Sequence, residues 1–287
     1  MKKSAETMAL TSKSDFVMRP VLLCILSLSG IATHAQVFMR TFENAASLSL
    51  GGAVSAYPGL SAGLSNEALA GFGEKAGVYL GSAIPYGISG WQTAQIQGFA
   101  KINDVSGAGL DVTYSGTEAY REQKWSLIYG RRLSDKFFFG GSADLLRVSA
   151  QEYGSATGVN VSIGMLANPL PGLWIGVRLR NPVRQSIGPD APSTILRIGA
   201  AWKASNIFLL LAESEKMLER PVQIKAGMEY RPLESLYVRA GVRTGGTARA
   251  GFGIGIRFGK GLGLDAGSEW HPSLGITPAL MFVWRKP

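Results

Sequence analysis

Cysteine and histidine are almost absent from this chain. Its 287 residues hold one cysteine, Cys24, and two histidines, His34 and His271. Residues 1–35 look like a cleavable leader. Met18-Arg19-Pro20 supplies a charged start, Val21–Ile31 an apolar core, and Thr33-His34-Ala35 the small residues before a cut at Gln36. The alternative, a membrane anchor, is disfavoured because the apolar run of about eleven residues is too short to span a bilayer. A lipoprotein reading of Cys24 is weak, since the residues after it stay hydrophobic. Met1–Val17 is polar and suggests no structural role. Removing the leader removes Cys24, so disulfide and thiol chemistry go with it, and His271 is left as the sole histidine. A zinc site or a Ser–His–Asp arrangement has almost nothing to draw on. The expectation is a non-enzymatic protein without metal or cofactor.

Long apolar runs are also missing after the leader, which excludes a bundle of membrane helices. The formal net charge is +9, from 29 Lys and Arg against 20 Asp and Glu. Without residues 1–35 it is 29 − 4 = 25 against 20 − 2 = 18, or +7. This excess is spread along the chain and makes no patch for nucleic acid.

What is present is alternation. Thr247–Phe258 reads TARAGFGIGIRF: Phe252, Ile254, Ile256 and Phe258 fall on one face, and Arg249, Gly251, Gly253, Gly255 and Arg257 on the other. Apolar side chains toward lipid and small or charged ones toward an interior suit a transmembrane β-strand. Similar runs recur near Ala76–Ile84, Trp91–Ile102, Gly107–Ser115, Gln123–Arg132, Lys136–Ser149, Gly158–Asn168 and Leu173–Arg180. They continue near Thr194–Lys203, Ile207–Glu215, Pro221–Arg231, Ser235–Arg243, Gly261–Trp270 and Gly275–Trp284. With Thr247–Phe258 that makes about fourteen. The sequence therefore predicts an all-β chain: a transmembrane antiparallel β-barrel over 75–287. Asn168-Pro169-Leu170-Pro171-Gly172 is expected outside strand interiors. Gly259-Lys260-Gly261 is short enough for a hairpin, and Asn181–Ser193 is a long loop expected to face the cell exterior.

Residues 36–74 differ. Ala45–Ala56 is small and apolar around Gly51-Gly52, and Ser61–Gly73 is loop-like or briefly helical. Too little charged for a disordered leader, this stretch is read as a hatch that partly plugs the barrel or lines its wall.

The faces follow strand by strand. Leu196, Ile198 and Trp202, then Ile224, Ala226 and Met228, point outward. Arg178, Arg197, Lys225, Glu229, Arg239, Arg257, Asp265 and Glu269 point inward, because arginine on the lipid face costs about 2–4 kcal/mol at the midplane. Glycines on the inner face leave space for side chains from across the lumen. Glu213, Glu229, Asp265 and Glu269 are the available partners, with Arg257 and Asp265 as diagonal neighbours. Two readings stay open: an ion-paired interior that holds the barrel in shape, or a path for ions or solutes. Trp91, Trp125, Trp174, Trp202, Trp270 and Trp284 read as interfacial girdles rather than a stacking platform.

The chain resembles the PorV/PorQ-type outer-membrane barrels of the FadL-like superfamily. Ser49-Leu50-Gly51-Gly52-Ala53 is similar to an early small-residue motif of that family, and Asn66-Glu67-Ala68-Leu69-Ala70 stands where it has Asn-Pro-Ala-Gly-Leu. Glu229-Tyr230, Val238-Arg239-Ala240-Gly241, Gly251-Phe252-Gly253 and His271-Pro272-Ser273-Leu274-Gly275 follow in order. Glu67 in place of proline departs from the pattern. The resemblance makes Asn66, Glu67 and Ala68 hatch-motif candidates; Glu67 either pairs with a lumen arginine or faces water near the mouth. It implies an outer-membrane barrel in lipid that works through envelope or type IX secretion proteins, or else a channel for hydrophobic small molecules.

Overall fold

Fourteen antiparallel strands follow one another as hairpins in the computed structural model, which describes Phe38, 44–60, 65–72, 75–188, 192–218, 220–259 and 261–286. The leader reading lies outside the described residues. The strands are β1 Ala76–Ala83, β2 Gln92–Asn103, β3 Ser106–Gly116, β4 Tyr120–Ser134, β5 Phe137–Ala150, β6 Gly154–Leu170 and β7 Leu173–Arg180. Then come β8 Ile195–Lys203, β9 Phe208–Met217, β10 Gln223–Leu233, β11 Leu236–Arg243, β12 Arg249–Phe258, β13 Leu262–His271 and β14 Gly275–Arg285. Each pairs with its sequence neighbours, and β1 closes on β14 with Gly77 opposite Arg285, so no edge is left open.

The alternation sets the two faces. Ile96, Leu110, Leu127, Phe252 and Leu280 are each more than half exposed on the outside. So wide an apolar exterior is untenable in water and natural in hydrocarbon. Arg178, Arg197, Lys225, Glu229, Arg239, Asp265 and Glu269 are buried on the inside.

Two expectations need correction. Pro169 lies within β6, not outside it. The ladder with β7 is irregular between Ala167 and Leu170, and such a bulge accommodates a residue without a donor. In the long connection after β7, Ile187 is buried against Leu146 and Phe38. Gly158 on β6 makes the room, since a side-chain carbon there would lie 2.6 Å from Ile187 Cγ1. Asn181 pins this loop: its Oδ1 accepts from Gln185 N (3.2 Å), its Nδ2 donates to Pro192 O, and its carbonyl accepts from Thr194 Oγ1 (2.7 Å). Finally, Trp174 is not a girdle residue. It points into the lumen, 4.7 Å from the Phe72 ring and 6.0 Å from Phe138, centre to centre.

Connections at the end where β14 finishes are two to four residues long; the opposite end carries the longer 84–91 and 181–194 loops. These are the short-turn and long-loop ends.

Candidate functional site: the occupied lumen

Eight strands already make a barrel whose interior wall side chains can fill. Fourteen leave a surplus, and residues 44–60 and 65–72 occupy it. Asn44 caps α1 (Ala45–Ser49), its Oδ1 accepting from Ser47 N at 2.9 Å. Five residues cannot hold a helix alone in water. All five are buried, and Ser49 Oγ donates to Phe252 O of β12 at 3.2 Å. Gly51 and Gly52 then turn the chain at φ 63° and 78°, the left-handed region where glycine is at ease.

The glycine face of the wall has a use beyond the one expected. It admits the backbone of this segment as well as side chains, such as Asp265 Oδ1 and Arg239 Nη1 beside Gly255. A side-chain carbon at Gly251 would lie 2.0 Å from Leu48 O, at Gly241 2.2 Å from Leu50 C, and at Gly176 2.1 Å from Ser55 O. At Gly140 it would lie 2.4 Å from Glu67 C, and at Gly164 2.1 Å from Asn66 Oδ1. Contacts this short cannot exist, so the glycine track on β5, β6, β7, β11 and β12 is shaped to the inner chain.

Asn66, Glu67 and Ala68 sit at the start of a 3-10 helix, Glu67–Gly71, and are fully buried. Asn66 is the cap. Its Oδ1 accepts from Ala68 N (3.1 Å), while Nδ2 donates to Ser55 O (2.9 Å), Met165 O of β6 (2.9 Å) and Val177 O of β7 (3.2 Å). One amide thus joins both parts of the inner chain to the wall. Glu67 takes the first helical position, where proline is also favoured. It accepts from Arg178 Nε at 3.0 Å and Nη2 at 2.6 Å.

Two larger groups of charges lie elsewhere in the lumen. In one, Lys225 Nζ lies 2.9 Å from both Glu213 and Glu215, and Arg197 Nε 2.5 Å from Glu215. Glu213 also accepts from Val54 N (3.0 Å) and Ser55 N (2.8 Å). In the other, Arg239 bridges Glu229 (2.7 Å) and Asp265 (2.6 Å), and Arg257 Nη2 lies 2.9 Å from Asp265. Tyr57 OH donates to Glu229 at 2.5 Å. Burial, then the neighbouring Glu229 carboxylate, raises the Tyr57 phenol above its ordinary range, so it remains a donor. Glu269 accepts from Arg243 and Arg249. Sequence reading missed Glu215, whose signal was available: Leu209, Leu211, Glu213 and Glu215 alternate on one face of β9. Tyr57 carried no such signal.

His271 closes the β13–β14 turn. Its Nδ1 accepts from Ser273 N (3.1 Å) and Leu274 N (3.2 Å), and its ring meets Tyr86 edge-on. At the short-turn end a cavity of about 300 Å3 opens beside Tyr57, Phe72 and Trp174.

The chain thus defines a class: a fourteen-stranded transmembrane barrel of the outer-membrane type whose lumen holds its own N-terminal segment. No protein-family model and no curated protein matches it. Among solved structures it is similar to the CymD monoaromatic hydrocarbon channel (11% identity, 88% of this chain and 99% of that one, TM-score 0.68). It is likewise similar to a Pseudomonas aeruginosa FadL homologue (12%, 86% and 99%, TM-score 0.66) and to the Pseudomonas putida toluene transporter TodX (14%, 87% and 98%, TM-score 0.64). At these identities the likeness is one of fold.

Proposed function

We propose that the barrel passes small hydrophobic molecules across the outer membrane, with the 44–72 segment as its movable stopper. The observation that carries this is what fills the lumen. Wall side chains cannot leave a barrel, but a separate stretch of chain lying on a glycine track can shift and open a path. The fold is shared with proteins described as hydrocarbon channels and a toluene transporter, and the aromatic cavity at the short-turn end offers an apolar waypoint.

A second reading follows the PorV-like resemblance: a partner-dependent envelope component, of the type IX secretion kind. It is favoured by the ion-paired lumen and short loops, which suit a rigid body more than a wide pore.

A disulfide that locks the stopper separates the two. A side-chain carbon at Gly199 would lie 2.5 Å from Ser55 Oγ, and residues 36–287 contain no native cysteine. Ser55→Cys with Gly199→Cys, oxidised, should stop uptake of toluene into lipopolysaccharide-bearing cells, and reductant should restore it. Undiminished uptake in the oxidised form, or none in the parent, sinks the conduit and leaves the partner reading.

A further inference from the structure

Beside the cavity at the short-turn end lies positive charge in excess of the carboxylates paired with it among the described residues. The cavity sits between Tyr57 and Phe72 of the inner chain and the ends of β7 to β10. Its walls are preformed. Trp174 and Phe72 meet at 4.7 Å, Phe72 meets Phe138 at 5.2 Å, and Leu209 backs the space from β9. Lys203 and Arg231 stand among its lining residues.

The charges around it can be summed. Arg231 lies 2.6 Å from Glu229, Arg239 bridges Glu229 and Asp265, and Arg257 holds Asp265. Three guanidiniums face two carboxylates, 3 − 2 = +1. All three lie 4.7–5.2 Å from the centre of the Tyr237 ring, whose face attracts cations without cancelling their charge. Lys203 adds another +1, and among the described residues its ammonium has no ion pair or hydrogen bond. Among the described residues, this ion-paired set and Lys203 together leave a surplus of +2 beside a cavity with aromatic walls.

We propose that this cavity binds a small amphipathic anion. The anionic head lies by Lys203 and Arg231, and a flat apolar body lies against Trp174 and Phe72. At about 30 Å3 per water-sized group, the space takes a ligand of about ten or more non-hydrogen atoms. Apolar walls alone would accept a neutral molecule equally well; the surplus charge selects the anion. Binding here does not require passage through the lumen, so the site stands apart from the conduit.

The test uses the full barrel in lipid nanodiscs, with empty nanodiscs as the blank for partition into lipid. Calorimetric titration compares 2-naphthoate with 2-naphthalenemethanol, the neutral molecule of similar shape. The parent should bind naphthoate about tenfold more tightly than the alcohol, and raised salt should weaken only naphthoate. Lys203→Glu, at an exposed strand end, should abolish that preference and leave alcohol binding within about twofold. Trp174→Leu should weaken both ligands. Equal affinities in the parent, or naphthoate binding unchanged by Lys203→Glu, overturns the site. Toluene uptake by the same Lys203→Glu protein is scored separately: its persistence shows that a failed anion site leaves the conduit untouched.

Discussion

Glu67 is a carboxylate buried in the middle of a membrane barrel, and Arg178 is what makes that tolerable. An ion pair removed from water gains little over apolar residues of the same size, but losing one partner leaves an uncompensated charge at a cost of about 3–5 kcal/mol. Glu67→Ala should therefore loosen 65–72 by that order, read as faster amide hydrogen exchange at Ala68 and Leu69. Glu67→Leu with Arg178→Met should recover most of the loss. Additive effects of the two single changes would show that the pair does not hold the helix in place. The inward direction of Arg178 was legible in the sequence, because β7 alternates Leu173, Ile175, Val177 and Leu179 against Gly176, Arg178 and Arg180. Its partner was not. Glu67 lies 111 residues away, and alternation says which way a side chain points without saying what comes to meet it.

At the scale of elements, strands were the readable part, because a two-residue period survives in each run by itself. The misreadings came where polarity stops alternating. β4 and β6 extend beyond their expected limits through Tyr120–Glu122 and Gly154–Thr157, polar stretches that carry no hydrophobic period. Trp174 was misread although the β7 run places it on the face of Gly176 and Arg178; its place near a strand end suggested a girdle, and its partner Phe72 lies outside the run. The glycine track can be tested directly. Valine at Gly176 and Gly251 favours a strand, yet would drive a carbon into Ser55 O and Leu48 O, with overpacking worth about 1–3 kcal/mol per site. The double variant should keep a heat-modifiable barrel while residues 44–60 become open to protease. Gly98→Val is the control, since nothing lies within 4 Å of a carbon placed there. Equal protease resistance in both proteins would mean that the track does not seat the segment.

For the whole molecule, a wall of fourteen strands and an interior taken up by chain and ion pairs predict a cylinder that is closed at rest. The purified protein in planar bilayers should show little steady conductance, and removal of 65–72 should make it leak ions. Large, anion-selective currents from the intact protein would show the lumen to be open already. The same arrangement also dictates an order of events during biogenesis. Ser49 and Phe252, which touch in the finished protein, are 203 residues apart, so the first-made segment has no seat until nearly the last strands exist. After that segment comes β1, from Ala76, and β1 is the partner of β14. We expect the segment to be walled in as the first and last strands meet, so that Leu48, Leu50 and Val54 gain their luminal seat only at that moment.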